Sequence, residues 1–183
     1  MLRKMPRLSK GRYTARVAQT PEEVAQAQAL RGLAFATATP DVDAFDDICA
    51  HVLVHEQKSG TLVCCFRMLV MEGGAEIGRS YSAQFYELSA LQDYQGRMVE
   101  MGRFCIHPDW KDPDILRVAW GAMTAFVDAN QIGMLFGCSS FAGTETDHYL
   151  DAFAMLKARH LAPKCWLPRV KAPDVFRYAA RLR

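Results

Sequence analysis

The feature that most constrains the fold is a helical pattern at residues 112–130 with a strand-like run on either side, at 99–106 (VEMGRFCI) and 134–141 (MLFGCSSF). Strands joined through a helix usually lie parallel in one sheet, and such crossovers are right-handed in nearly all proteins. These three segments therefore predict a βαβ unit whose two strands are parallel neighbours.

Earlier patterns supply an antiparallel part of the same sheet. Residues 12–18 alternate polar and apolar as a strand does, and Thr20 and Pro21 form a helix start. Two strand-like runs, at 51–57 and 61–70, flank a short polar turn, which is typical of a β-hairpin. The order of elements predicts an α/β fold in which helices flank a mixed sheet.

Composition limits the class of protein. The chain has 183 residues, half of them hydrophobic, which is enough for one well-packed domain. Neither a secretory signal nor a run approaching the roughly 18 apolar residues of a membrane span is present, so we expect a cytoplasmic protein. The cysteines lack the spacing of a zinc site, so we expect reduced thiols and no metal.

Positive charge is concentrated at the two ends of the chain. Residues 1–16 contain six Arg or Lys and no acid, and residues 157–183 contain eight against Asp174, so the middle of the chain is acidic. Basic ends predict contact with an acidic protein or an anionic phospholipid surface. Solvated tails are the alternative, and we expect no nucleic-acid partner.

The run at 99–110 (VEMGRFCIHPDW) carries two charges inside an otherwise apolar strand, Glu100 and Arg103, with Gly102 between them. Side chains alternate faces along a strand, so these two would normally point to opposite sides. Glycine inside a strand often marks a bulge, and one extra residue would bring both charges onto one face. We therefore predict a β-bulge at Gly102, with a buried ion pair as the structural alternative.

Other isolated charges recur in apolar or turn-rich segments. Arg31 lies in the helix run ALRGLAF, Arg67 in the strand run CCFRML, and Asp43 and Asp46 bracket Phe45 in an acidic turn. Each alone is explained by a structural ion pair, because a buried charge without a partner is costly. Together they could also line one polar pocket.

These residues resemble a known enzyme family. The combination is similar to the branch of GNAT acyltransferases that uses acyl carrier protein and includes the acyl-homoserine-lactone synthases. It consists of Arg31, Phe35, Asp43, Asp46, Arg67, Glu100 and Arg103. More closely, the runs TPEEVAQAQALR, DAFDDICAHVLV, EMGRFCIHPDW, LFGCSSFAGT and HLAP resemble the ornithine-lipid N-acyltransferases, from about residue 11 to residue 168.

The resemblance implies transfer of a 3-hydroxyacyl chain from acyl carrier protein to the α-amine of L-ornithine, forming lyso-ornithine lipid. It implies no cofactor beyond the carrier's 4'-phosphopantetheine, and splayed parallel strands at the acyl-donor site. Attack by an amine on a thioester needs a base, for which we expect Glu100, with Arg103 as an anchor beside it. The expected substrate-binding residues are Arg31, Phe35, Asp43, Asp46 and Arg67. The expected acyl-donor-binding residues are Phe104, Cys105, Ile106, Ser139 and Ser140, with backbone N–H groups near Phe104 holding the oxyanion.

The turn before the long helix bears on the donor. Coenzyme A pyrophosphate is usually held by free N–H groups of a glycine-rich turn at a helix N-terminus. Here the turn at 109–114 has no glycine, Pro113 lacks an N–H, and its acids would repel phosphate. A donor whose pantetheine arm is carried on a protein depends less on this turn, and basic surface residues can hold an acidic carrier.

We predict a basic N-terminal segment at 1–11, an acyltransferase domain at 12–168 and a basic segment at 169–183. Apolar residues in this last segment have helical spacing, which is typical either of a helix on the anionic inner face of the membrane or of one docked on its own domain. Members of the family that the chain resembles are expected to continue past the position of Arg183 with a final strand pair, so the expectation is either a short member or a truncated chain.

Three alternatives remain open from the sequence. The first is an acyl-homoserine-lactone synthase or another amino-acid N-acyltransferase; the synthase shares the arginine, aspartate and glutamate set, although the basic ends and LFGCSSFAGT favour the lipid enzyme. A non-catalytic module that binds carrier protein or membrane could retain the same fold. Cys105 or Cys138 could act as a covalent nucleophile, although packing in the core is the favoured explanation for buried cysteine.

Overall fold

The computed structural model describes residues 7–182, which form two compact units. The first contains residues 7–72 and 96–136, and the second contains residues 73–95 and 137–182. The acyltransferase domain predicted at 12–168 includes parts of both units, and its bounds remain a prediction. The outermost parts of the predicted basic ends, residues 1–6 and 183, lie outside the described residues.

The regular elements are numbered in chain order. The strands are β1 (Leu8–Lys10), β2 (Tyr13–Val17), β3 (Ala50–Glu56), β4 (Leu62–Met71), β5 (Tyr86–Glu87), β6 (Arg97–Ile106), β7 (Ile132–Phe136) and β8 (Arg169–Val170). The α-helices are α1 (Pro21–Ala34), α2 (Pro113–Asn130), α3 (Leu150–Arg159) and α4 (Tyr178–Arg181).

The first unit is built on a sheet with the strand order β1-β2-β3-β4-β6-β7. Neighbouring strands are antiparallel except β6 and β7, which are parallel and are joined through α2. The predicted hairpin is β3 and β4, and the predicted βαβ unit is β6, α2 and β7. The α/β class with a mixed sheet is therefore confirmed, although β7 ends at Phe136 rather than continuing to residue 141.

The two helices of the first unit pack on opposite faces of the sheet. Successive strand residues point to opposite faces, and Cys64 belongs to the core cluster that contains Val118 and Met123 of α2. The adjacent Cys65 belongs to the cluster that contains Ala27 and Leu30 of α1. The sheet is therefore buried on both sides in its centre, as its long apolar runs predict.

A bulge interrupts the pairing of β4 with β6. Arg67 pairs with Gly102, whereas Cys65 pairs with Cys105, so β6 has one extra residue between these pairs. The residue with left-handed backbone is Arg103, at φ 52°. The extra residue therefore follows the glycine from which the bulge was predicted.

The parallel strands separate shortly after they pair. The last matched pair of β6 and β7 is Glu100 with Phe136, and β6 then continues to Ile106. Residues 101–106 consequently present one backbone edge that the β6–β7 ladder does not use. This is the splayed geometry that the family resemblance implies.

In the second unit, the C-terminal residues pack on α3. The ring of Tyr178 stacks on Phe153 with centroids 5.4 Å apart, and Phe176 lies 5.6 Å from the same ring. The guanidinium of Arg181 lies 5.7 Å from the centre of Phe176. The sequence predicts that the basic C-terminal segment either lies on a membrane surface or docks on its own domain. In the described residues it packs on α3 of its own unit.

Across residues 7–182, every helix is either too short or too polar to cross a bilayer.

The packing of α2 predicts a position-specific loss of stability. Ile115 is fully buried, whereas the next residue, Leu116, is 43% exposed. Replacing Ile115 by Ala should lower the free energy of unfolding by about 2–5 kcal/mol, because it leaves a cavity. Leu116→Ala should change it by less than about 1 kcal/mol. Urea unfolding measures both, and equal losses would contradict this orientation of α2.

Candidate active site

The site begins with the acidic segment between α1 and β3. Residues Ala44–Asp47 form a short 3-10 helix that Asp43 caps, with its Oδ1 accepting from the N–H of Phe45 at 2.9 Å. Asp46 Oδ2 accepts from the N–H of Asp43 at 3.2 Å, which completes a reciprocal capping box. The short helix therefore holds both carboxylates in fixed positions.

Arg31 joins α1 to this segment. Its side chain is 1% exposed and forms a two-pronged pair with Asp46, with Nη1 to Oδ1 at 2.7 Å and Nη2 to Oδ2 at 2.9 Å. Its Nε donates to Asp41 Oδ2 at 2.9 Å, and Nη2 also donates to the carbonyl oxygen of Asp41. The guanidinium is thus fully engaged within the protein.

Arg67 joins the same segment to β4. Its Nη1 and Nη2 donate to the two oxygens of Asp43 at 2.5 and 2.8 Å, and Nη1 also donates to Asp46 Oδ1 at 2.8 Å. The guanidinium carbon lies 5.4 Å from the centre of the Phe45 ring, which is cation–π distance. One aspartate, Asp46, is therefore shared by two buried arginines.

Arg103 adds the bulged strand to the network. Its Nη2 donates to Asp43 Oδ2 at 3.1 Å, and its Nε lies 2.9 Å from Asp41 Oδ2. Asp41 was not among the predicted site residues, although it belongs to the same acidic turn and lies two positions before Asp43. The turn pattern alone did not show which acids face the arginines.

The side chains of this network differ in exposure. Those of Arg31, Arg67 and Asp46 are 5% exposed or less, whereas those of Asp41, Asp43 and Arg103 are between 17 and 25% exposed. The first group fastens α1, the 3-10 helix and β4 to one another. The second group is the part of the network that a solute can reach.

In the aspartates and arginines of this network, ion pairs and hydrogen bonds together outweigh the effect of burial on the pKa. For Asp46, burial is the largest influence, but hydrogen bonds from Arg31 and Gln28 outweigh it and hold the pKa well below its usual range. Burial of Asp43 is likewise outweighed by Arg67, so its pKa is lowered. Burial alone would lower the pKa of Arg31 and Arg67, but their carboxylate partners raise it.

Glu100 lies beside this network. It is 5% exposed and occupies the last parallel pair before β6 and β7 separate. Alternate residues of a strand share a face, so Glu100 lies on the face of Gly102 and of its cross-strand partner Arg67. The Cys49 thiol is within electrostatic range of both charges: burial raises the pKa of Cys49 to about 11, Arg67 lowers it, and Glu100 raises it.

The bulge directs the side chains of Arg103 and Phe104 to opposite faces of the sheet. Arg103 contacts Asp41 and Asp43, whereas the Phe104 ring stacks on Phe66 at 5.5 Å, on the face that α2 covers. Glu100 and Arg103 therefore share one face, as the sequence analysis predicted from Gly102.

The other predicted residues are distributed over both units. Phe104, Cys105 and Ile106 lie on the part of β6 that extends past β7. Phe35 ends α1 and its ring is exposed. Ser139 and Ser140 lie in the second unit, in an exposed irregular segment.

The N-terminus of α2 is occupied by the protein's own carboxylate. Asp112 caps the helix by accepting from the N–H of Asp114 at 2.9 Å, and its other oxygen accepts from the Tyr13 hydroxyl at 2.8 Å. Burial and the bond to Asp112 raise the pKa of Tyr13 to about 12. This helix end therefore offers little to an anionic group. Among residues 7–182, no group of three or more His, Cys, Asp or Glu side chains is arranged to hold a metal ion.

Comparison with known proteins gives three results. The family model of the acetyltransferase (GNAT) domain matches residues 25–121. The L-ornithine N(alpha)-acyltransferase of Rhodobacter capsulatus is 31% identical over 176 residues, covering 87% of this chain and 68% of that protein. The Brucella abortus protein of the same name is 31% identical over 114 residues, covering 56% of this chain and 39% of that protein.

Among solved structures, an acetyltransferase of Trypanosoma brucei matches 89% of this chain and 99% of its own, with TM-score 0.49 and 10% identity. The curated relatives are longer than the region matched, so this chain spans about two thirds of the R. capsulatus protein and well under half of the B. abortus protein.

The family match, together with the mixed sheet, its bulge and its splayed parallel strands, defines a GNAT acyltransferase domain. Within that class, the chain belongs to the family of the L-ornithine N(alpha)-acyltransferases.

Asp46 provides a test of the ion network. Asp46→Asn should lower the free energy of unfolding by about 3–5 kcal/mol at pH 7, because two buried guanidiniums lose a shared charge. Since folding lowers the pKa of Asp46, its contribution is present above the unfolded pKa of about 4 and is lost as pH falls towards the folded pKa. The difference from wild type should therefore shrink at pH 3 in urea unfolding.

The exposed neighbour provides the control, because Asp47→Asn should have little effect at either pH. A pH-independent difference would contradict the assignment.

Proposed function

We propose that this chain transfers a 3-hydroxyacyl group from acyl carrier protein to the α-amine of L-ornithine, forming lyso-ornithine lipid. The observation that carries the proposal is the 31% identity with the R. capsulatus L-ornithine N(alpha)-acyltransferase, which covers 87% of the chain. The geometry and charge of the site support the same chemistry.

The charge balance of the site favours a cationic acceptor. Three guanidiniums, those of Arg31, Arg67 and Arg103, share a sheet face with four carboxylates, those of Asp41, Asp43, Asp46 and Glu100. Counted at formal charge, this leaves one negative charge in a largely buried region, where it attracts a cation more strongly than in water. Ornithine carries two ammonium groups and one carboxylate, so its net charge complements the site.

The predicted substrate-binding residues fall into two groups according to the exposure of their side chains. Arg31, Arg67 and Asp46 are buried and form ion pairs with one another. We therefore propose that they hold the acidic segment at 41–47 in place. Asp41 and Asp43 are reachable, and we propose that they receive ammonium groups and that Arg103 receives the carboxylate. Phe35, exposed at the end of α1, is assigned to the rim of the acceptor site.

Glu100 is the proposed base. The α-ammonium must lose a proton before its nitrogen attacks the thioester carbonyl carbon, and a buried carboxylate beside the acceptor can take that proton directly or through a water. The new C–N bond then forms as the C–S bond breaks, and the pantetheine thiolate leaves and is protonated. We propose that backbone N–H groups of β6 around Phe104 and Cys105, past the last pair with β7, hold the developing oxyanion.

A carrier-linked donor fits the N-terminus of α2 better than a free nucleotide donor does. Asp112 already uses the N–H of Asp114, and Pro113 has no N–H. A pyrophosphate would meet like charge there, whereas a carrier keeps its charged groups on its own surface and can bind basic residues elsewhere. We further propose that basic residues outside the sheet contact the carrier or the anionic inner face of the cytoplasmic membrane.

The first test is acyl transfer by the purified full chain. Ornithine, lysine, glutamine, glycine and S-adenosylmethionine are supplied in parallel with 3-hydroxyacyl carrier protein. Ornithine should react fastest, and Glu100→Gln should lower kcat by about 10²–10⁴-fold, because a general base contributes about that much. The control is Glu87→Gln, an exchange of the same kind in the second unit, which should retain the wild-type rate. Lactone formation from S-adenosylmethionine would instead support a signal synthase, and absence of turnover with every acceptor would support a non-catalytic module.

The donor provides a separate prediction. The ratio kcat/KM for 3-hydroxyacyl carrier protein should exceed that for the matching coenzyme A thioester by at least about tenfold, because surface charge steers an acidic carrier to the protein. The difference should diminish at high salt, since screening weakens contacts between exposed charges. Equal ratios for the two donors would contradict the proposed use of carrier protein.

A further inference from the structure

Two buried thiols face each other across β4 and β6. Cys65 Sγ lies 3.5 Å from Cys105 Sγ, and the two residues are direct cross-strand partners. Partners in antiparallel strands have Cα atoms about 4.5–5.5 Å apart, within the range of about 4.4–6.8 Å found for disulfides. The sulfur atoms need to approach by only roughly 1.5 Å to reach bonding distance.

The local environment distinguishes the two sulfur atoms. The hydrogen-bonded contact between the two thiols lowers the pKa of Cys105, and the same contact, together with burial, raises the pKa of Cys65. Cys105 is also the more exposed of the two thiols, and the thiolate is the reactive form of either one. Cys105 is 6% exposed and Cys65 is 1% exposed, so only a small oxidant or a brief opening of the strands gives access.

The third thiol of this region is not part of the pair. Cys64 precedes Cys65 in β4, but its side chain packs in the core cluster on the α2 face. Cys65 and Cys105 both pack in the cluster on the α1 face. A pairing between Cys65 and Cys105 is therefore selected by the alternation of side chains along the strand.

We propose that Cys65 and Cys105 form a reversible disulfide when the protein meets a peroxide, and that the bond lowers acyl transfer. The effect on acyl transfer rests on the proposed function, whereas the disulfide itself does not. The modification site lies at the bulge, because Cys105 ends the irregular stretch that starts after Gly102.

The chemical step balances with hydrogen peroxide as oxidant. The Cys105 thiolate attacks one peroxide oxygen, the O–O bond breaks, and hydroxide leaves and takes up a proton, giving a sulfenic acid. The Cys65 sulfur then attacks the Cys105 sulfur and displaces hydroxide, which takes the Cys65 proton to become water. Two thiols and one peroxide thus give one disulfide and two waters.

The bond would affect the reaction centre through the backbone. The bond would fix the spacing and twist of β6 against β4 at Cys105, two residues from Arg103 with its left-handed backbone and its ion pairs, so this stretch could no longer adjust around the reactants. The N–H groups proposed to hold the oxyanion belong to the same stretch of β6. A displacement of about 1 Å at a reacting centre can cost about 10²-fold in rate.

The experiment treats the full chain with hydrogen peroxide, blocks remaining thiols by alkylation and maps cross-linked peptides by mass spectrometry without reduction. A Cys65–Cys105 cross-link that disappears with dithiothreitol is expected. Acyl transfer should fall at least tenfold on oxidation and return on reduction. Cys65→Ala should be active when reduced, and after peroxide it should give no cross-link, with Cys105 recovered as a sulfenic or more highly oxidised acid because no second thiol resolves it.

Cys64→Ala is the matched control, because it removes an adjacent buried thiol on the other face and should still form the cross-link. The proposal is overturned if Cys65 and Cys105 are recovered as separately alkylated thiols after peroxide treatment, or if the cross-link forms while acyl transfer is unchanged. The mass of the wild-type cross-link decides the modification even if Cys65→Ala does not fold. The cross-link is detected in the same way if no acceptor reacts. Failure of the disulfide proposal and failure of the proposed function therefore give different results.

Discussion

The first unit depends on the pairing of buried arginines with aspartates of one short segment. Arg31 comes from α1, Arg67 from β4 and Arg103 from β6, and all three reach carboxylates between Asp41 and Asp46. Each guanidinium would be costly to bury alone, so the segment must adopt the one conformation that supplies every partner. The same pairing that allows these charges inside the protein thus shapes this face of the candidate site.

Two features of β6, its bulge and its separation from β7, shape the candidate site. The extra residue after Gly102 directs Arg103 towards the aspartates and Phe104 towards the opposite face, where it stacks on Phe66. The separation of β6 from β7 after Glu100 leaves backbone groups next to a buried carboxylate. A regular, fully paired strand would place Glu100 and Arg103 on opposite faces and would use those backbone groups in the ladder.

Much of the fold could be predicted because its signals are local. The capped start of α1 at Thr20, the β3–β4 hairpin and the βαβ unit follow from turn residues and from the period of apolar positions. The grouping of residues 73–95 with 137–182 was not predicted, because it depends on contacts between segments far apart in the chain. Asp41 was missed for a similar reason: the four acids of the turn at 41–47 look alike in sequence until the arginines that pair with some of them are placed.

The sequence by itself determined the order of elements, the position of the bulge near Gly102 and the set of charged residues that apolar strands and helices would have to bury. Local propensity and the cost of burying unpaired charge are sufficient for these. The tertiary structure alone decided which charges meet, which of them stay reachable, and that Cys65 faces Cys105 while Cys64 does not. Pair distances and burial arise only when β4 and β6 take one register and α1 closes over them, and no local pattern specifies that register.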